Sequence, residues 1–83
     1  MEKSPPKKFL KLVLKHILQH PKDLVVTSED TEEGIKLIVD VNDKDIPDVI
    51  GTEGSTAEAL RKLMGLYGYK LKKNIAVRFK FDL

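Results

Sequence analysis

The chain contains no cysteine, which removes a disulfide framework and any thiolate metal site. It also lacks long apolar runs, so no stretch reads as a transmembrane helix or a secretory leader. A cytoplasmic location is expected, with no membrane partner. Length is short as well. A chain of 83 residues buries only about 60–65% of its unfolded surface, enough for one modest core. No internal repeat and no linker divides it, so residues 1–83 are read as one domain, with residues 1–8 partly a flexible tail.

Catalytic and metal-binding arrangements are missing too. The serines are Ser4, Ser28 and Ser55, none with a positioned base. His16 and His20 share a helix face, but no glutamate sits between them in the H-E-x-x-H manner and no third ligand is evident. Asp40, Asn42, Asp43 and Asp45 look calcium-like. An EF-hand loop starting at Asp40 would nevertheless need glycine where Asp45 stands and glutamate where Gly51 stands. No enzyme, metal or cofactor is expected.

What is present suits a folded domain: 41% apolar and 34% charged residues. The net charge of +2 conceals segregation. Residues 1–22 carry six lysines against Glu2, residues 23–58 two lysines against eleven acids, and residues 59–83 seven basic residues against Asp82. Basic ends of this kind can face a polyanion, although ordinary solvated surfaces look the same in composition.

Phe9, Leu10, Val13, Leu14, Ile17 and Leu18 recur in pairs every four residues, predicting a helix over about 5–20. Ser4 is its expected cap, and Pro21 its stop. Leu24 to Thr27 reads as a strand and Ser28 to Gly34 as a turn. Ile35, Leu37, Val39 and Val41 then alternate with Lys36, Ile38, Asp40 and Asn42, a half-buried strand. Asp45 to Ile50 reads as a short helix capped by Asp45, stopping at Gly51. Ser55-Thr56-Ala57-Glu58 has the capping-box pattern. Ala57, Leu60, Met64 and Tyr67 carry that helix to Gly68, with Gly65 inside it against propensity. Ile75, Val77, Phe79 and Phe81 alternate as a last strand. The fold class is α+β, order α-β-β-α-α-β, with helices on one face of a three-stranded mixed sheet.

The segment between the last two helices is the most informative. Gly51 and Gly54 stand three apart between a short helix and a capped one, flanked by Ile50, Ala57 and Leu60. Glycines there let the chain turn sharply and another backbone approach. The helix starting just beyond directs free amides and a positive dipole end at the loop, a phosphate-receiving arrangement. The spacing and the missing lysine exclude a P-loop.

Val49-Ile50-Gly51-x-x-Gly54-x-Thr56-Ala57-x-Ala59-Leu60-Arg61 resembles the KH domain, whose GxxG loop clamps about four nucleotides of single-stranded RNA or DNA. The element order resembles its type II form. Over nearly the whole chain the likeness is greatest to the small stand-alone bacterial KH proteins, the KhpA family. The resemblance implies RNA binding in the cytoplasm, self-association as a homodimer, and pairing with a larger KH-containing protein. Carried over by position, Ile50, Gly51, Thr52, Glu53, Gly54, Ser55, Thr56 and Ala57 would form the RNA-binding loop and Arg61 would add charge. Ile46, Val49 and Leu60 would join the apolar side of the cleft. Lys70, Lys72 and Lys73, in a variable loop from Gly68 to Asn74, would hold its opposite side.

The family usually has a basic residue at the middle of the loop, where this chain has Thr52 and Glu53. A like charge there costs about 0.5–1 kcal/mol of phosphate affinity at a screened surface. The expected function is single-stranded RNA binding. The alternative is a protein-interaction or dimerisation module with weak or lost RNA binding, which Leu63 and Leu66, off the core stripe, would serve.

Overall fold

The computed structural model describes residues 5–82. Helix α1 spans Pro5–Ile17, strands β1 and β2 span Val25–Thr31 and Gly34–Asp40, and helix α2 spans Ile46–Ile50. Helix α3 follows at Ser55–Leu71 and strand β3 at Asn74–Phe79. Single 3-10 turns lie at Pro21–Asp23, Asp43–Asp45, Thr52–Gly54 and Lys80–Asp82. The α-β-β-α-α-β order is the one expected. β2 is central, antiparallel to β1 and parallel to β3, giving a three-stranded mixed sheet.

One face of that sheet is apolar because the strand period is two. Val26, Leu37, Val39, Ile75, Val77 and Phe79 are buried on it, and Leu10, Leu14, Val49, Ala57, Leu60 and Met64 cover them from the helices. Phe9 of α1 meets Tyr67 of α3 edge-on, with ring centroids 5.3 Å apart.

Several boundaries differ from the expected ones. Pro5 to Lys8 belong to α1 and Pro6 is buried; proline fixes φ near the helical value in a first turn. The capping role of Ser4, and residues 1–4 of the tail, lie outside the described residues. Helix α1 ends at Ile17 rather than near His20, because the amides of Gln19 and His20 turn away to a carboxylate described below.

The polar stretch after Thr27 is not a loop. β1 continues to Thr31 and turns through Glu32 and Glu33 alone. Ser28 and Asp30 share the face of Val26 and stand opposite Leu37 and Ile35. The ladder to β2 holds this half of the strand although its apolar alternation has run out. Gly34, at φ +142°, starts β2 beside Asn74, whose carbonyl occupies the space a Cβ would need. Phe81 leaves the buried face, since pairing with β2 stops at Phe79. It stacks on Phe79 at 5.5 Å and stays 39% exposed.

The two glycines of α3 differ in what surrounds them. Gly68 does not stop the helix, which continues to Leu71 and is capped by Lys72 at φ +60°. Gly68 is buried because a Cβ there would lie 2.5 Å from the Lys73 carbonyl and 3.2 Å from Ile75. Gly65 meets nothing within 4 Å, so close packing does not account for it, and nothing else in the structure does. Gly65→Ala should therefore raise the unfolding free energy by about 0.5–1 kcal/mol through helix propensity alone. Gly68→Ala should lower it, because backbone has to move. Urea unfolding followed by circular dichroism reads both; equal signs would mean the contact at Gly68 is not the constraint.

Candidate nucleic-acid interface

The loop at residues 51–54 is positioned from both sides. Ahead of it, α2 is a single turn with Pro47 in its first positions. Asp45 does not cap it: no side-chain cap bond is made there. Its carboxylate, fully buried, instead accepts from the Gln19 amide through Oδ1 and from the His20 amide through Oδ2, both at 2.9 Å. Two further bonds reinforce the junction. Gln19 Nε2 donates to Asp48 at 3.3 Å, and Asn42 Nδ2 donates to Asp23 at 2.9 Å. Residues far apart in sequence thus fix where α2 starts and hence where it releases the chain.

Gly51 ends α2 at φ +76°, ψ 176°, a conformation only glycine adopts freely. The place of its absent Cβ is taken by the Thr56 side chain, with the Thr56 nitrogen at 2.7 Å. Gly51 therefore serves the loop's own closure. The chain then makes one 3-10 turn in which the amides of Gly54 and Ser55 donate to the carbonyls of Gly51 and Thr52. Among the described residues the amides of Thr52 and Glu53 have no such partner. Glu53 sits left-handed at φ +54°, ψ 29°, costing roughly 1 kcal/mol for a side chain with no local bond to offset it. Gly54 follows at φ +78°, ψ 12°, and a Cβ on it would meet nothing within 4 Å. Its open side is the free surface of the loop.

The capping box does not form. Gly54 is the cap residue of α3, Ser55 is already helical, and no side-chain cap bond is made. Glu58 pairs instead with Lys62 one turn on, at 3.2 Å. The first turn of a 17-residue helix thus points at the loop with no side-chain cap and with the positive end of its dipole.

Around this centre the structure gathers Ile50, Gly51, Thr52, Glu53, Gly54, Ser55, Thr56 and Ala57, with Arg61 one and a half turns along α3. Thr52, Glu53 and Ser55 are exposed, whereas Val49, Ala57 and Leu60 are buried in the core. Of the apolar residues expected in a cleft, Ile50, at 37% exposure, is the accessible one beside the loop. Arg61 Nε donates to the Val77 carbonyl of β3 at 3.4 Å, and its guanidinium carbon lies 5.3 Å from the centre of the Phe79 ring. Val77 and Phe79 had no sequence signal as neighbours of the site; only the parallel register brings them there.

Lys70, Lys72 and Lys73 are not brought to the loop. Lys70 is still helical, some fifteen residues and about 22 Å of helix rise from Ser55. Lys72 and Lys73 line a shallow hollow with Asp30, Glu32 and Glu33 of the β1–β2 hairpin, where they face its acidic tip. At the loop itself Glu53 has no ion-pair partner among the described residues. No helix among those residues is long and apolar enough to cross a membrane.

Residues 7–79 match the family described as KhpA/KhpB, KH domain. The chain is 35% identical over 63 residues to the RNA-binding protein KhpA of Listeria monocytogenes serovar 1/2a, covering 76% of this chain and 83% of that protein. It is 39% identical over 59 residues to RNA-binding protein KhpA of Thermotoga maritima, covering 70% and 77%. The corresponding Bacillus subtilis protein is 34% identical over 59 residues, covering 71% and 73%.

Replacing the anchor tests the junction. Asp45→Ala leaves two amides without their acceptor and should lower the unfolding free energy by about 3 kcal/mol. Asp45→Asn, with one acceptor oxygen, should lose about half of that. A loss below about 0.5 kcal/mol in the alanine variant would mean that water replaces the carboxylate there.

Proposed function

Because the chain belongs to the KhpA/KhpB KH-domain family, which is not a family of enzymes, we propose that it binds single-stranded RNA, seating the sugar–phosphate backbone at residues 51–54. The observation that carries this reading is the open side of Gly54, beside two unpartnered amides and an uncapped helix start. A phosphate there accepts from the Thr52 and Glu53 amides and from the Thr52 hydroxyl, with the dipole of α3 behind it. A bound strand then runs along α3 toward Arg61, with Ile50 giving its bases an apolar contact. Lys70, Lys72 and Lys73 contribute to the general field rather than to the seat. The protein acts in the cytoplasm, and its affinity is modest, because one small loop meets few phosphates and Glu53 repels them. Binding weakens as salt rises.

Gly54 offers a clean test, since asparagine and aspartate both tolerate a left-handed backbone. Gly54→Asp should remove binding of a labelled single-stranded octamer in fluorescence anisotropy. Gly54→Asn, alike in shape and uncharged, should retain most of it. Glu53→Lys should tighten binding about fivefold or more. Equal affinities in all three variants would remove phosphate from this loop.

A second reading concerns the opposite side of α3. Leu63, Leu66 and Tyr69 are exposed, the last two at 68% and 84%. With Phe9, Tyr67 and Lys70 they line a shallow, largely apolar hollow. An apolar surface of this kind suits another protein surface, either a second copy or a larger KH-containing protein. Sedimentation equilibrium should give a mass approaching twice that of one chain at high concentration, and Leu66→Glu should return it to one. A native protein that stays monomeric throughout would count against the homodimer.

A further inference from the structure

Arg61 is held in a way that a contact serving only as a positive charge does not require. Its Nε donates to the Val77 carbonyl at 3.4 Å, and its guanidinium carbon lies 5.3 Å from the centre of the ring of Phe79, itself buried. Those two contacts use the inner edge and one side of the guanidinium. The two terminal amino groups have no partner among the described residues, so they present a parallel pair of donors outward. The residue lies six positions beyond Ser55, about 9 Å along α3. Its contacts are to β3, not to the loop.

A fixed planar fork matches two adjacent acceptors, whereas a lysine supplies a mobile point charge. Resting on the RNA-binding reading above, we infer that Arg61 reads a base and favours one with two neighbouring acceptor atoms. Guanine has such a pair in O6 and N7. Cytosine has one in O2 and N3. Adenine and uracil alternate donor with acceptor along the edges they offer, and a two-donor fork fits neither. The loop sets where the strand lies, and Arg61 sets which base is accepted one step along it.

Anisotropy titrations with labelled (UG)4, C8, (UA)4 and U8 RNA test this. The native protein should bind (UG)4, C8 or both about tenfold more tightly than (UA)4 and U8. Arg61→Lys keeps the charge and lacks the fork. It should abolish that preference, so that (UG)4 and C8 bind this variant no more tightly than U8 does. The second probe needs no variant: if guanine is the base read, replacing it in (UG)4 by 7-deazaguanine, which lacks N7, should bring binding down to the U8 level. If C8 alone is preferred, the Arg61→Lys result carries the test. A uniform loss across all four oligonucleotides in Arg61→Lys would make the residue a charge contact and overturn the inference. The same holds for an unchanged preference. No binding of any oligonucleotide by the native protein would instead overturn the RNA-binding reading itself.

Discussion

The loop is only as well placed as the one-turn helix in front of it, and a five-residue helix cannot hold itself in water. The buried Asp45 carboxylate supplies the missing constraint. It receives two amides from the segment just past α1, one on each oxygen, at 2.9 Å each, so neither oxygen of the buried group lacks a partner. Its loss would leave two donors with nothing to replace it. Asn42 adds a second tie, bonding Asp23 through its amide and the Lys44 nitrogen through its oxygen. The end of α1, the end of β2 and the start of α2 therefore meet at one junction. From there Val49 anchors α2 in the core and Gly51 turns the chain outward.

Two glycines spaced alike do different work. Gly51 is closed by Thr56 from within the same chain, while Gly54 faces empty space. A substitution at the first meets Thr56 as well as an unfavourable φ, whereas one at the second meets only the unfavourable φ. Glu53 between them is left-handed although it is no glycine. Its side chain is exposed, and it is the one charge among residues 51–54.

Much of this could be read from the residues. The stripe ending in Leu14 and Leu18, the alternation from Ile35 to Val41 and the pair of glycines fixed element types, order and loop. What could not be read depends on distant partners. Asp45 has the sequence of a helix cap, and only the chain's return past residues 19 and 20 makes it an anchor. Ser55 to Glu58 has the pattern of a capping box, but a left-handed Gly54 makes Ser55 helical too early for it. Ser28 to Thr31 carries no apolar signal because its strand is held by hydrogen bonds to β2. Lys70, Lys72 and Lys73 read as lying in a loop after Gly68, since nothing local shows that α3 continues to Leu71.

That last displacement changes how the charge of the chain should be understood. Along the sequence, basic ends enclose an acidic middle, which suggests a basic face. In the fold the blocks interleave. Lys72 and Lys73 lie by the acidic hairpin, Lys80 lies 3.6 Å from Asp40, and Lys62 pairs with Glu58. Long-range attraction is correspondingly weak, since opposite charges this close cancel within a Debye length of about 8 Å. On the proposed reading, recognition at the loop comes from short-range groups that neighbouring charges do not neutralise: main-chain amides, the end of a helix dipole and one guanidinium held against β3. Such groups act over a few ångströms and depend on direction, so geometry at the loop matters more than net charge. A small protein of nearly balanced charge can select a strand by these means where a simple basic patch would bind any polyanion.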